Sequence, residues 1–407
     1  MPCFRLSLRF PAILFFMVER YSCSVRITYI GHSRFPTEKA HGHQIAQVCQ
    51  AMARLGHEVT LVVPTIVGAQ GDPFSYYGIP KKTFHVTYLK QFDSFRFPWL
   101  PESIGVPMRM YSYRNCLREY LAAHPTDLIY LRSPSVLSPA LATGLPVILE
   151  LHKLPWWLYK LATRCNRCLR VVCLSMPICD TMRYAGVLPE RLIVESNGVD
   201  LEMFHAMPST VEARGSFNLP TDRAVVGYVG QLRTMEIDKG VAILLQALGN
   251  LRETRRVFGL IVGGSSEDQK QYRLLASSLG LGDEDIRFIP AVPRTEVPVA
   301  LAACDVCVYP APASQDPYFV RDTSPLKLFQ YFAAKRPIVC AELPPVRALL
   351  SDALVRFFIP GDPLALAEAI LDVLDNPDDS RKRVIQGIAF VENHTWEKRM
   401  QRILQGI

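Results

Sequence analysis

Residues 322–337, DTSPLKLFQYFAAKRP, combine groups able to hold an anion. Leu326, Phe329 and Ala333 recur at offsets of three and four, and Leu328 and Phe332 widen the same apolar stripe. This spacing predicts a helix entered at Ser324-Pro325, because proline is tolerated at the first helical position. Apolar segments at residues 305–310 and 337–340 flank the run and predict buried strands. The helix N-terminus is therefore expected beyond the carboxyl edge of a parallel sheet. Free backbone N–H groups and a positive dipole end in such a place suit a phosphate or diphosphate. A plain amphipathic helix without a ligand fits the same pattern. Lys327 falls in the first turn, where a cation opposes the dipole.

A second anion-binding arrangement lies upstream. Residues 225–229 form an apolar strand that ends at Gly230. Asp238-Lys239-Gly240 then precedes a helix carrying Val241, Leu244, Leu245 and Leu248. A strand, a glycine turn and a helix with a cation at its mouth make a diphosphate site in physical terms, with Lys239 as that cation. His152 ends the apolar strand at residues 146–151. Most lone histidines are structural, but this one leaves a strand where open sheets bind ligands.

The elements that must position these groups follow from pattern. Residues 25–30 read as a strand, residues 31–36 as a loop, and Ile45, Val48, Met52 and Leu55 as the core face of a helix that Gly56 ends. Residues 58–63 are the next strand, which opens a doubly wound sheet. No GxGxxG is present, so NAD binding is disfavoured. Further strands are expected at residues 127–131, 170–174, 191–194, 257–262, 286–289 and 355–359. Asn197-Gly198 predicts a tight turn with positive φ. Residues 68–108 are rich in Gly, Pro and aromatics. Phe92, Phe95, Phe97 and Trp99 stand beside basic groups there, and they are expected to cover the sheet edge in preference to resting on a membrane or an acceptor.

At 407 residues the chain is long for one core and predicts two domains. The formal charge of +7 is uneven: residues 1–205 hold 22 Lys and Arg against 14 Asp and Glu, whereas residues 206–407 hold 23 against 24. The basic half hints at an anionic membrane or acceptor, although an ordinary solvated face fits as well. Nucleic acid is not expected, since no dense basic run is interleaved with aromatics. The eleven cysteines include two CxxC spacings, Cys165/Cys168 and Cys304/Cys307, without a second pair at zinc spacing. Buried free thiols in a reducing cytoplasm are the expectation. The apolar run at residues 11–18 is too short to span a bilayer. It reads as an interfacial anchor, or as sequence upstream of a start at Met17, in preference to a signal segment.

Asn197-Gly198-Val199-Asp200, Lys239-Gly240 and the Ser324-Pro325-Leu326-Lys327-Leu328-Phe329 run together resemble the retaining two-domain glycosyltransferases of family 4, the group 1 type with the GT-B fold. The likeness runs from about Val25 to the C-terminus. It implies an α/β chain with two Rossmann-like doubly wound domains facing a cleft. An N-terminal extension would cover residues 1–24, an acceptor-side domain 25–205, a linker 206–222, a nucleotide-sugar domain 223–385, and a helix crossing back to the first domain 386–407.

The resemblance also implies roles. Lys239 would grip the donor diphosphate beside Gly230, with Arg233 replacing an arginine that is Gln231 here. Thr323, Ser324 and Leu326 would offer the helix start. Asp322 and Gln330 occupy the places of two glutamates eight positions apart, the first on sugar hydroxyls and the second on the ribose. Asp322 is one methylene shorter than glutamate, and Gln330 keeps only a neutral carbonyl acceptor. Ala291 and Val292 would pack on the nucleotide base. His152 would lie beside the donor sugar, and Gly31, His41 and Gly42 would face the acceptor. The implied reaction moves a hexosyl group from a nucleotide sugar to a glycan, lipid-linked or small-molecule acceptor, with no cofactor and no metal. The free thiols point to the cytoplasm, and the basic first half to an optional peripheral contact at the inner membrane face. A non-catalytic scaffold with this fold, or a nucleotide-sugar epimerase or hydrolase on it, fits the same motifs.

Overall fold

Short apolar runs bounded by glycine and proline become strands buried on both faces, because helices cover both sides of a parallel sheet. The computed structural model describes residues 24–407 except Gln70, Pro80, Lys81, Met235, Glu236, Glu253, Arg255 and Arg256. The run at residues 11–18 lies outside the described residues. The first domain carries β1 (Arg26–Ile30), β2 (Glu58–Pro64), β3 (His85–Leu89), β4 (Leu128–Leu131), β5 (Val147–Leu151), β6 (Arg170–Cys173) and β7 (Leu192–Val194). They form a seven-stranded parallel sheet in the order β3-β2-β1-β4-β5-β6-β7. The second domain carries β8 (Ala224–Val229), β9 (Val257–Val262), β10 (Ile286–Ile289), β11 (Val306–Tyr309), β12 (Ile338–Ala341) and β13 (Arg356–Phe358). These form a six-stranded parallel sheet in the order β10-β9-β8-β11-β12-β13. The order reverses beside β1 in one sheet and beside β8 in the other, which opens a crevice at the carboxyl edge of each. No described helix is long and apolar enough to cross a membrane.

Four expectations are corrected. Phe95 and Trp99 do not cover the sheet edge: β3, from the same segment, forms that edge, and the two rings stay 54% and 77% exposed. Phe97 stacks on Phe92 with centroids 5.5 Å apart, and Arg109 lies 4.4 Å over Phe95. The segment between the domains is not a free linker. It contains the helix Thr210–Ser216 with a Ser209–Glu212 capping box, and buried Arg214 ties it to the second domain through Ala303 O at 3.1 Å and Asp305. Gly198 has no positive φ. It is needed for close approach instead, because an added Cβ would sit 2.9 Å from Trp396 N.

The fourth correction concerns where the chain returns. The helix Pro377–Glu392 stays on the second domain, with Phe390 and Phe332 5.3 Å apart. The crossing comes later, at His394 and Thr395, where Val199 N donates to His394 O at 3.0 Å. The helix Trp396–Leu404 then buries Trp396, Met400 and Ile403 in the first domain's core beside Ile45 and Val48.

Arg399 on this last helix is 1% exposed, and its Nη2 lies 3.0 Å from Oε1 of fully buried Glu150 on β5. Its Nε donates to Ser196 O at 2.7 Å. Replacing Arg399 by methionine strands a buried carboxylate, and we expect a loss of about 3–5 kcal/mol. Adding Glu150→Gln should recover part of that loss, since the two sites are directly coupled. Urea unfolding of the single and double variants measures both; an unchanged single variant would refute the coupling.

Candidate functional site

The two carboxyl edges enclose a cleft of about 860 Å³. His41, Arg132 and His152 line it from the first domain, and Gly230, Lys239, Val292 and Lys327 from the second. That volume suits a ligand larger than a single sugar ring. A smaller cavity of about 200 Å³ lies behind Ser324, between Glu195 and Pro345.

Strand alternation explains the first cluster. Glu150 and His152 are two positions apart, so both point to one side where β5 ends. Glu150 Oε1 accepts from His152 Nε2 at 2.6 Å and from Gln44 Nε2 at 2.7 Å, and Tyr130 donates its hydroxyl to Oε2. Gln44 Oε1 in turn accepts from Arg132 Nε at 2.7 Å. Burial alone would push the Glu150 carboxyl up, but Arg399 and His152 hold it below the ordinary carboxylate range. Burial, then Arg132, lowers the His152 pKa to about 4 against the upward pull of Glu150. The imidazole is therefore neutral at pH 7. Its Nε2 proton belongs to Glu150, which leaves Nδ1 as an acceptor for a hydroxyl.

Lysines make up the second cluster. Lys239 enters after a short antiparallel ribbon, Arg233–Thr234 with Ile237–Asp238. Asp238 caps the following helix through Val241 N at 2.8 Å, which fixes the neighbouring lysine. The Lys239 ammonium lies 3.4 Å over the Tyr318 ring. Gly230 has φ +146 and Gly263 φ +123, and a Cβ on Gly263 would collide with Gly230 O. The two turns touch, and only glycine permits this. Lys327 reaches the same place from the helix Leu326–Ala333: its ammonium lies 3.8 Å over the Tyr228 ring and donates to the Tyr228 hydroxyl.

His152, His41, Lys239, Gly230, Thr323, Ser324, Leu326, Gln330, Asp322, Ala291 and Val292 all line the cleft. Three of the other expected residues do not. Gly31 lies behind it, with its carbonyl accepting from Tyr113 OH at 2.5 Å. Gly42 makes room for Tyr77, whose hydroxyl would sit 2.2 Å from an added Cβ. Arg233 lies outside the lining, with Nη1 donating to Gln271 Oε1 at 2.9 Å.

Buried Asp322 accepts from Arg321 at 2.6 and 3.1 Å, at the end of a π-helical turn, Tyr318–Asp322, that the pattern gave no sign of. The helix start shifts by one position: Pro325 is the N-cap and Leu326 the first helical residue. Ser324 is shared with the first domain, because its carbonyl accepts from Asn197 Nδ2 at 2.6 Å. Gln44, Arg132, Arg399 and Lys327 were missed as parts of these clusters.

Comparison with known proteins divides the chain at the same place. A family model described as Glycosyltransferase Family 4 matches residues 42–203, and one described as Glycosyl transferases group 1 matches residues 210–389. A D-inositol 3-phosphate glycosyltransferase of Streptomyces scabiei is 25% identical over 227 residues, 54% of this chain and 48% of that protein. D-inositol 3-phosphate glycosyltransferase 1 of Catenulispora acidiphila is 28% identical over 232 residues, 54% of this chain and 52% of that protein. The chain thus spans about half the length of these curated relatives. A glycosyltransferase structure from Rickettsia africae superposes with TM-score 0.72 at 14% identity, covering 95% of this chain and 100% of that one. Anabaena Alr3699/HepE, solved with UDP and glucose, superposes with TM-score 0.69 at 18% identity, covering 94% and 100%.

The neutral histidines generate a pH prediction. His32, His41 and His152 have pKa values lowered to about 4, in each case first by burial and then by Arg132. Unfolded chains take up these protons near pH 6.5, before the folded protein does. Stability should therefore be full above about pH 6.5 and decline as pH falls toward 4. Urea midpoints measured across that window test this, and a flat profile between pH 7 and 5 would contradict neutral imidazoles.

Proposed function

The chain belongs to the group 1 glycosyltransferases of the GT-B fold, and from that premise we propose that it moves a hexosyl group from a nucleotide-diphosphate sugar to an acceptor, with retention of anomeric configuration. One observation carries the reading: Lys239, which forms no ion pair among the described residues, and neutral His152 line one cavity from opposite domains. The diphosphate lies at Gly230 and Lys239, the base against Ala291 and Val292, and the ribose within reach of Gln330. The sugar lies between the helix start and His152, where Nδ1 accepts one of its hydroxyls. When the bond from the anomeric carbon to the β-phosphate oxygen breaks, the diphosphate keeps the electron pair. Lys239 and the N–H groups of the helix start stabilise that charge without a metal. Closure of the two domains excludes water from the reacting carbon.

The acceptor enters over the first domain and is a glycan, a lipid-linked molecule or a small molecule. Exposed Trp156, only four residues beyond His152, and Trp99 support an apolar or interfacial acceptor. Sedimentation with vesicles of anionic and of zwitterionic lipid tests this: preference for the anionic vesicles is expected, and its absence removes peripheral membrane contact from the reading.

Calorimetric titration with UDP, GDP and ADP, repeated on Lys239→Ala, tests the donor site. One nucleotide should bind at micromolar strength, with about tenfold or greater loss in the variant. Failure of all three would favour a second reading, a non-catalytic scaffold. The Arg321 pairing of Asp322 and the missing charge at Gln330 already point that way. Once a donor is known, NMR of the product's anomeric proton checks retention, and incubation without acceptor reveals epimerase or hydrolase chemistry.

A further inference from the structure

Resting on the donor-site reading, we propose that Lys327 is the second cation of the diphosphate subsite and holds the phosphate group beside Gly230 together with Lys239. Several independent contacts put it there. A Cβ built on Gly230 would meet Lys327 Cε at 3.1 Å and Nζ at 3.2 Å, so the ammonium already touches the backbone turn on which a phosphate would rest. The Tyr228 hydroxyl that accepts from Nζ is itself a donor to Gln231 O at 2.5 Å, which aims its lone pairs at the lysine. Lys327 lines the cleft with Lys239, and no carboxylate among the described residues pairs with either ammonium.

The surroundings offer no counter-charge. Tyr228 on β8 and Tyr309 on β11 face Lys327, and Tyr331, one turn along the same helix, directs its hydroxyl to Val229 O. Burial pushes all three phenols well above the usual tyrosine range, so they remain neutral. The carboxylate of Asp238 is occupied by the backbone N–H groups of Gly240, Val241 and Ala242. The lysine side chain keeps some exposure to the cleft, yet desolvation and then Lys239 push its pKa well down. Both amines rest side by side on tyrosine faces, so protonating Lys327 beside Lys239 is costly, and a bound polyanion relieves that cost. The alternatives are weaker: Gln231 is neutral and exposed, and Arg233 donates Nη1 to Gln271 outside the lining.

The test separates phosphate recognition from simple packing. Wild type, Lys327→Met and Lys327→Gln are titrated with UDP and uridine, and with the GDP/guanosine and ADP/adenosine pairs. Both variants should lose about tenfold or more in affinity for the diphosphate that wild type binds, as expected for a hydrogen bond to a charged group. Affinity for the matching nucleoside should stay within about twofold, since the nucleoside lacks the charge that Lys327 meets. Unchanged diphosphate affinity, or an equal loss for nucleoside and diphosphate, overturns the role of Lys327 and leaves the donor site standing. If wild type binds none of the diphosphates, the donor-site reading falls and this inference with it.

Discussion

The Arg399–Glu150 pair is the constraint on which the rest of the structure hangs. A carboxylate with no exposure at the end of a central strand is costly unless a cation reaches it. The cation comes from the last helix. It must dock on the first domain, so the chain must leave the second domain to deliver it. Glu150, once held ionised, accepts a hydrogen bond from His152 Nε2–H and orients Gln44, and Gln44 in turn holds Arg132. A structural ion pair at one end of the network thus sets the tautomer of an imidazole at the cleft. The guanidinium also holds Ser196 O, next to Asn197, whose side chain grips Ser324 of the other domain.

The opposite wall follows a different logic. The first domain pairs its buried Glu150 with Arg399; in the second, Lys239 and Lys327 have no carboxylate partner among the described residues and rest on aromatic faces. An aromatic quadrupole steadies an ammonium less than a carboxylate does. Such a lysine stays available to an incoming anion, and no ion pair has to break first.

Much of this was legible in the chain. The parallel strands announced themselves as apolar runs, Gly56 ended its helix as expected with φ +92, and most cleft-lining residues sat where strand ends and glycine turns placed them. What was hidden had physical reasons. β3 and the helix Glu102–Ala123, which contains Pro107, lacked the apolar periodicity that marks an element. Lys327 looked unfavourable because only its helix was considered, not the Tyr228 ring it reaches across the sheet. Arg399 gave no signal, since its partner lies on the other side of the chain's full excursion through the second domain. Gly198 was read for backbone freedom, yet it is needed for lack of bulk under Trp396.

The returning helix also determines when the first domain's core can close. Trp396, Met400 and Ile403 belong to the core of the domain that is synthesised first. Until they emerge, that domain has an open face, an uncompensated Glu150 and a His152 without its final setting. During synthesis the first domain is therefore the last to be completed, and a chain interrupted inside the second domain carries no assembled site. The crossing makes the setting of His152 depend on a helix that follows the second domain in the chain, so the first domain's cleft wall is not encoded by residues 24–205 alone.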